Sequence, residues 1–106
     1  RLYDLLAKDV PAPDLVIYLQ VPTEVLLQRI RERAKHSTSE LPDPDTGYLR
    51  ELNEAYQHFF FHYTSTPLLV VETSHVDLQT SDRALDDLIR QISTMTRGTQ
   101  YYVPRP

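Results

Sequence analysis

The stretch PDLVIYLQVPTEVLLQRIRERAK, residues 13–35, gives the clearest indication of the fold of this chain. Residues 15–19 form a continuous apolar run without alternation, which is typical of a strand covered on both faces of a parallel sheet. Pro22 and Thr23 then favour the start of a helix. That helix places apolar side chains on an arc of about 100° facing a core, the width of a core-facing stripe: Leu26, Leu27, Ile30 and Ala34. A buried strand followed by an amphipathic helix predicts an α/β fold.

Three later segments also have helix or strand patterns. Residues 49–63 repeat apolar side chains every three or four positions, the strongest helical period in the chain. Residues 68–71 are a second apolar strand. A last helix is predicted from Ser81, a good N-cap residue, to a stop at Arg97 and Gly98. Two apolar strands separated by helices predict parallel pairing through a helical crossover.

The remaining segments are a short helix, a loop and a tail. Leucines in residues 2–6 share one helical face. Residues 36–47 are rich in turn formers and have no period, so we predict a surface loop. With the end of the preceding helix it makes a lid over residues 34–47, because long loops in compact domains are often functional lids. Residues 101–106 indicate no clear element.

Two apolar parallel strands cannot bury both their faces and their edges by themselves. We therefore expect residues 1–106 to be the carboxyl-terminal part of a larger single domain, with a partial doubly wound parallel sheet and flanking helices.

The amino-acid composition argues against several classes of binding partner for this chain. The 106 residues are 41% hydrophobic and carry a formal net charge of -4, which argues against a surface for long nucleic acid. No cysteine is present, and no apolar run approaches the roughly 20 residues of a membrane helix. We expect a soluble cytoplasmic protein. His58 and His62 are four residues apart but have no matching third ligand, so no metal site is predicted.

Positive charge is concentrated at one place. Four of the eleven lysines and arginines lie between residues 29 and 35, namely Arg29, Arg31, Arg33 and Lys35. In a helix the first and third of these lie one above the other, and the other two point away from them. Two stacked guanidinium groups beside a lid are suited to stabilising a transferring phosphoryl group. The alternative is an ordinary solvated helix face, because charge runs are common on surface helices.

A family resemblance favours the first interpretation. Residues 13–35, the lid, then YLRELNEAYQHFFFHY at 48–63 and TPLLVVETSHVDL at 66–78 resemble the second half of the deoxynucleoside kinase family of P-loop phosphotransferases. The resemblance implies that the full-length protein moves the γ-phosphate of ATP to the 5′-hydroxyl of a deoxynucleoside, with Mg²⁺ held mainly by other parts of the protein. It also implies a homodimer.

The resemblance assigns roles to particular residues. Arg33 and Lys35 would contact the ATP phosphates as catalytic residues, although the family usually has arginine at the second position. Arg29 would pack against the adenine, and a loop residue, Glu40, would bind the sugar 3′-hydroxyl. The loop after the second strand would touch the adenine through Ser74, His75 and Val76.

The chain lacks other parts of the kinase machinery. Its only glycines are Gly47 and Gly98, so there is no G-x-x-x-x-G-K-[ST] phosphate loop, and by itself the chain should not catalyse transfer. Two alternatives remain open. One is a nucleoside monophosphate kinase, whose lid also carries arginines, and the other is a noncatalytic module with a kinase-like fold. The sequence does not indicate which deoxynucleoside is preferred.

Overall fold

The structure is a computed structural model, and it describes residues 13–36 and 44–105. These residues form one three-stranded parallel sheet in the spatial order β1–β2–β3. The strands are β1 (Val16–Gln20), β2 (Leu68–Glu72) and β3 (Thr99–Tyr102). The helices are α1 (Thr23–Lys35), α2 (Thr46–Phe61) and α3 (Asp82–Ser93). The predicted α/β class, with a partial parallel sheet and flanking helices, is confirmed.

The centre of the sheet is β2, not the first apolar strand. Leu68, Leu69 and Val71 are completely buried, as expected for a strand paired on both sides and covered on both faces. By contrast, Ile17 and Leu19 of β1 are 39% and 53% exposed. The prediction that β1 is covered on both faces is therefore wrong for the described residues, because the helix on this face, Asp82–Ser93, packs against Leu69 and Val71 of β2 and leaves Ile17 and Leu19 exposed.

The tail contributes a strand that the sequence pattern did not predict. Helix α3 ends at Ser93, short of the predicted stop, and Gly98 has a φ of +73° just before β3. The Gly98 carbonyl accepts a hydrogen bond from the Leu68 amide at 2.9 Å. Gly98 thus begins the pairing of β3 with β2 and does not cap the helix. A positive φ is accessible to glycine at little steric cost, which explains the residue type.

The two faces of the sheet are covered by different helices. On one face Tyr18, Leu68 and Val70 pack against Phe60 and Tyr63 at the end of α2. The rings of Tyr18 and Phe60 are stacked with their centroids 4.5 Å apart.

On the opposite face Leu69 and Val71 pack against Leu88 of α3. Alternate side chains of a strand point to opposite faces, so this division follows from the register. It is the doubly wound arrangement expected from the sequence.

Helix starts are set by local hydrogen bonds. The Ser81 hydroxyl accepts from the Ala84 amide at 3.2 Å, which confirms the predicted N-cap. Asp45 caps α2 by accepting from the Tyr48 amide at 3.0 Å. Residues 34–35 belong to α1 and residues 46–47 to α2, so the segment predicted as a surface loop is shorter at its carboxyl end, and the lid over residues 34–47 remains a prediction.

Some predictions fall on residues outside the described ranges. These are the helix at residues 2–6 and the central part of the lid, including Glu40.

Helix α1 begins without a side-chain cap at Pro22, and the turn before it is held from α2 instead. The Asn53 amide nitrogen donates to the Val21 carbonyl at 2.9 Å and to the Thr23 hydroxyl at 3.1 Å. Thr23 is one of the few buried polar residues. Asn53 thus fixes where α1 leaves the sheet, and with it the direction in which the cationic end of α1 points.

Candidate functional site

A cavity of about 490 Å³ lies between α1 and the connection from β2 to α3. This size is within the range of small-ligand sites, and the β2–α3 connection leaves the carboxyl end of its strand, where open α/β sheets bind ligands. Within residues 13–36 and 44–105 the lining comes from these two segments, and it consists of Val25, Gln28, Arg29, Glu32, Arg33, His36, Ser74, Asp77 and Thr80. Arg29 and Arg33 therefore lie on one side of α1, as their four-residue spacing predicts, and they share this cavity with the loop after β2.

Arg29 is held against the end of β2 by Thr73. Its Nη1 donates to the Thr73 hydroxyl at 3.3 Å, and its Nη2 donates to the Thr73 carbonyl. Thr73 is itself buried, and both its amide and its hydroxyl donate to the Gln20 carbonyl, at 2.8 and 3.1 Å. The guanidinium of Arg29 is thus fixed to the sheet through a short chain of hydrogen bonds.

Arg33 has a different partner one helical turn further along. Its Nη2 forms an ion pair with the Asp77 carboxylate at 2.8 Å, and the Arg33 side chain stays 48% exposed. Asp77 in turn accepts from the Gln79 amide at 3.0 Å through its other oxygen. A guanidinium has five N–H donors, so one bond to Asp77 leaves most of its donor capacity for a ligand.

Lys35 is not brought to this cavity. Its ammonium lies 3.3 Å from the Glu32 carboxylate on the same helix, and its side chain is 71% exposed. The phosphate contact predicted for Lys35 remains a prediction.

The loop after β2 contributes one of its three predicted residues to the cavity. Ser74 lines it, and the Ser74 amide donates to the Glu72 carboxylate at 2.6 Å. Val76 is buried, His75 is exposed, and neither lines the cavity. The adenine contacts predicted for these two residues therefore remain predictions.

Sequence reasoning missed Thr73 and Asp77, the two residues that bind the arginines. A signal was present, because Thr73 and Asp77 are four residues apart, as Arg29 and Arg33 are. This matching spacing indicates a pairing of the two segments only once α1 is known to pack against the loop.

Metal-binding side chains are not clustered in the described part of the chain. No group of three or more His, Cys, Asp or Glu residues there is arranged to hold an ion. His58 and His62 pack edge to face with ring centroids 4.8 Å apart. They line a second cavity of about 380 Å³ at the end of α2, together with Phe59, Tyr63, Thr64 and Ser65. Among the described residues, no helix is both long enough and apolar enough to cross a membrane.

Comparison with known proteins identifies the family. The family model for deoxynucleoside kinases matches residues 1–97, nearly the whole chain. The chain belongs to the deoxynucleoside kinase family. The family resemblance inferred from the sequence is therefore confirmed, and β3 lies beyond the matched residues.

Two curated relatives agree with this assignment. The chain is 26% identical over 86 residues to a deoxyadenosine kinase of Lactobacillus acidophilus, covering 80% of this chain and 40% of that protein. It is 23% identical over 90 residues to a deoxyadenosine/deoxycytidine kinase of Bacillus subtilis, covering 85% of this chain and 40% of that protein. The chain thus spans about 40% of the length of these relatives. No solved structure gives a significant match.

Proposed function

We propose that residues 1–106 are the carboxyl-terminal part of a deoxynucleoside kinase and supply its binding site for the phosphate donor. In the proposed reaction the full-length protein transfers the γ-phosphate of ATP to the 5′-hydroxyl of a deoxynucleoside. The observation that carries the proposal is the pair Arg29 and Arg33 over one cavity with the loop after β2. Family membership supports the reaction class, and the cavity supports the place where ATP binds.

The two arginines have different tasks in this proposal. Arg33 is half exposed, engaged at one nitrogen, and directs N–H groups at the phosphate oxygens, where negative charge accumulates during transfer. Arg29 is fixed at two nitrogens by Thr73 and presents the flat side of its guanidinium for stacking on the adenine. A fixed group suits stacking, and a group with spare donors suits a charged ligand that moves during the reaction.

Other parts of the proposal rest on the family resemblance. Lys35 would leave Glu32 to reach the phosphates, backbone groups of residues 74–76 would contact the base, and Glu40 would bind the sugar. Mg²⁺ would supply charge neutralisation on the triphosphate. The described residues offer no cluster of ligands for Mg²⁺, so its ligands would come mainly from other parts of the full-length protein. In this proposal the full-length protein is a homodimer in the cytoplasm.

The test is steady-state kinetics of the full-length kinase with an arginine series. Arg33→Met should raise KM for ATP and lower kcat, because it removes an interaction that strengthens in the transition state. Arg29→Met should raise KM for ATP with a smaller effect on kcat. Arg31→Met is the matched control: it removes the same charge from the same helix, and Arg31 does not line the cavity.

Substrate profiling decides among the reaction classes. Phosphorylation of deoxynucleosides supports the proposal, and phosphorylation of monophosphates in their place would identify a nucleoside monophosphate kinase. No transfer to either acceptor would favour a noncatalytic module. Equal effects of Arg31→Met and Arg33→Met on KM for ATP would contradict the assignment of the cavity.

A further inference from the structure

Helix α1 and the β2–α3 connection are joined by two parallel contacts. Arg29 binds Thr73 and Arg33 binds Asp77, so a step of four residues along the helix matches a step of four residues along the loop. Both arginines line the same cavity, and so does Asp77. The β2–α3 connection therefore orients both guanidinium groups, through Thr73 and Asp77.

We propose that Asp77 is a positioning residue for ATP binding, which holds the Arg33 guanidinium over the cavity so that its remaining N–H groups face the phosphates. This inference rests on the proposed function. Asp77 acts through Arg33 and needs no contact with the nucleotide.

The local geometry makes Asp77 a fixed support. One carboxylate oxygen accepts from the Gln79 amide at 3.0 Å, and the Asp77 carbonyl accepts from both the amide and the hydroxyl of Thr80, at 3.0 and 3.1 Å. The Asp77 side chain is only 24% exposed, half the value of Arg33. The carboxylate is thus held by its own turn, and the longer arginine side chain is the partner that it orders. Ordering a flexible side chain before a ligand arrives lowers the cost of binding.

A positioning role and a simple electrostatic role of Asp77 predict opposite changes in KM for ATP when its charge is removed. A carboxylate at the wall of a phosphate site repels the ligand, so removing its charge should lower KM for ATP if Asp77 only competes with phosphate. If Asp77 orients Arg33, removing its charge should raise KM for ATP. The direction of the change therefore separates the two roles.

The experiment compares Asp77→Asn with the wild type in the full-length kinase. Asparagine keeps an oxygen for the Gln79 amide and loses the ion pair with Arg33. We expect KM for ATP to rise roughly threefold to tenfold, the effect of leaving one long side chain to be ordered by the ligand. KM for the deoxynucleoside and the thermal midpoint should stay unchanged. The control, Glu24→Gln, breaks the 2.9 Å ion pair between Glu24 of α1 and Arg50 of α2, which lies outside the cavity.

A double-mutant cycle tests whether Asp77 acts through Arg33. In an Arg33→Met background, Asp77→Asn should cause no further rise in KM for ATP. An unchanged or lowered KM in the single variant would overturn the inference, as would an equal rise in the Arg33→Met background. If Arg33→Met raises KM for ATP and Asp77→Asn does not, only the positioning role fails. If Arg33→Met leaves KM for ATP unchanged, the proposed phosphate site fails as well.

Discussion

Deleting one hydroxyl from the core should stabilise the protein. The Tyr18 hydroxyl is buried and has no hydrogen-bond partner among the described residues, and its ring is stacked on Phe60. A buried hydroxyl without a partner costs about 1–3 kcal/mol. We take the lower end of this range and expect Tyr18→Phe to raise the free energy of unfolding by about 1 kcal/mol.

The matched control is Tyr63→Phe, the same chemical change on the same side of the sheet. The Tyr63 hydroxyl lies 2.8 Å from the Thr66 hydroxyl, a normal hydrogen bond. Its loss should lower the free energy of unfolding by about 1 kcal/mol. With a urea dependence of about 2 kcal/mol per molar, the two midpoints should shift by about 0.5 M in opposite directions.

Urea unfolding followed by circular dichroism measures both shifts, and pH adds an independent readout. Burial, with a smaller contribution from the negative charge of Glu72, raises the pKa of Tyr18 above its ordinary value. Above that ordinary value the unfolded chain releases the proton and the folded chain retains it, so wild-type stability falls as pH rises. The advantage of Tyr18→Phe should therefore grow at alkaline pH. Destabilisation by Tyr18→Phe as large as that by Tyr63→Phe would refute the reasoning.

Substitutions at four further positions are predicted to change stability, and the same urea assay measures them. Gly98→Ala should cost about 1 kcal/mol because φ is +73° and the added methyl meets nothing within 4 Å to compensate, whereas Gly47→Ala should stabilise α2 by up to about 1 kcal/mol. Ser81→Ala should lower stability by about 1 kcal/mol through loss of the bond from the Ala84 amide, and Ser81→Asp should preserve it. Leu69→Ala should cost about 2–5 kcal/mol because that side chain is completely buried in the central strand.

Local patterns predicted most of the fold, and long-range pairing explains what they missed. The apolar runs at β1 and β2 and the periods of the three helices are properties of the local sequence, and all five elements are present. Strand β3 is only four residues long, TQYY, with alternating half-buried and exposed side chains. Such a segment has no continuous apolar signal, and it becomes a strand only because β2 offers an edge. The exposure of Ile17 and Leu19 depends likewise on which helices cover their face of the sheet, which is a property of the tertiary packing.

The sequence likewise predicted only part of the candidate site, namely the positions of the two arginines on the helix. Helical spacing places Arg29 and Arg33 on one side of α1, and the structure brings both to one cavity. The same spacing cannot show that Lys35 turns to a carboxylate on its own helix. Loop residues have no period, so the positions of His75 and Val76 could not be inferred from the sequence.

The charges around the cavity indicate how it would recognise a phosphate donor. Two arginines line it, but so do the carboxylates of Glu32 and Asp77, so the formal charges of these four side chains cancel. The charged side chains that the structure describes at this cavity thus give it no net positive charge, and a neutral set of charges attracts an anion weakly from a distance. Its selectivity must then come from directed N–H groups, which a planar guanidinium provides and a lysine ammonium does not. For this reason the orientation imposed by Thr73 and Asp77 matters more here than the number of cations on the helix.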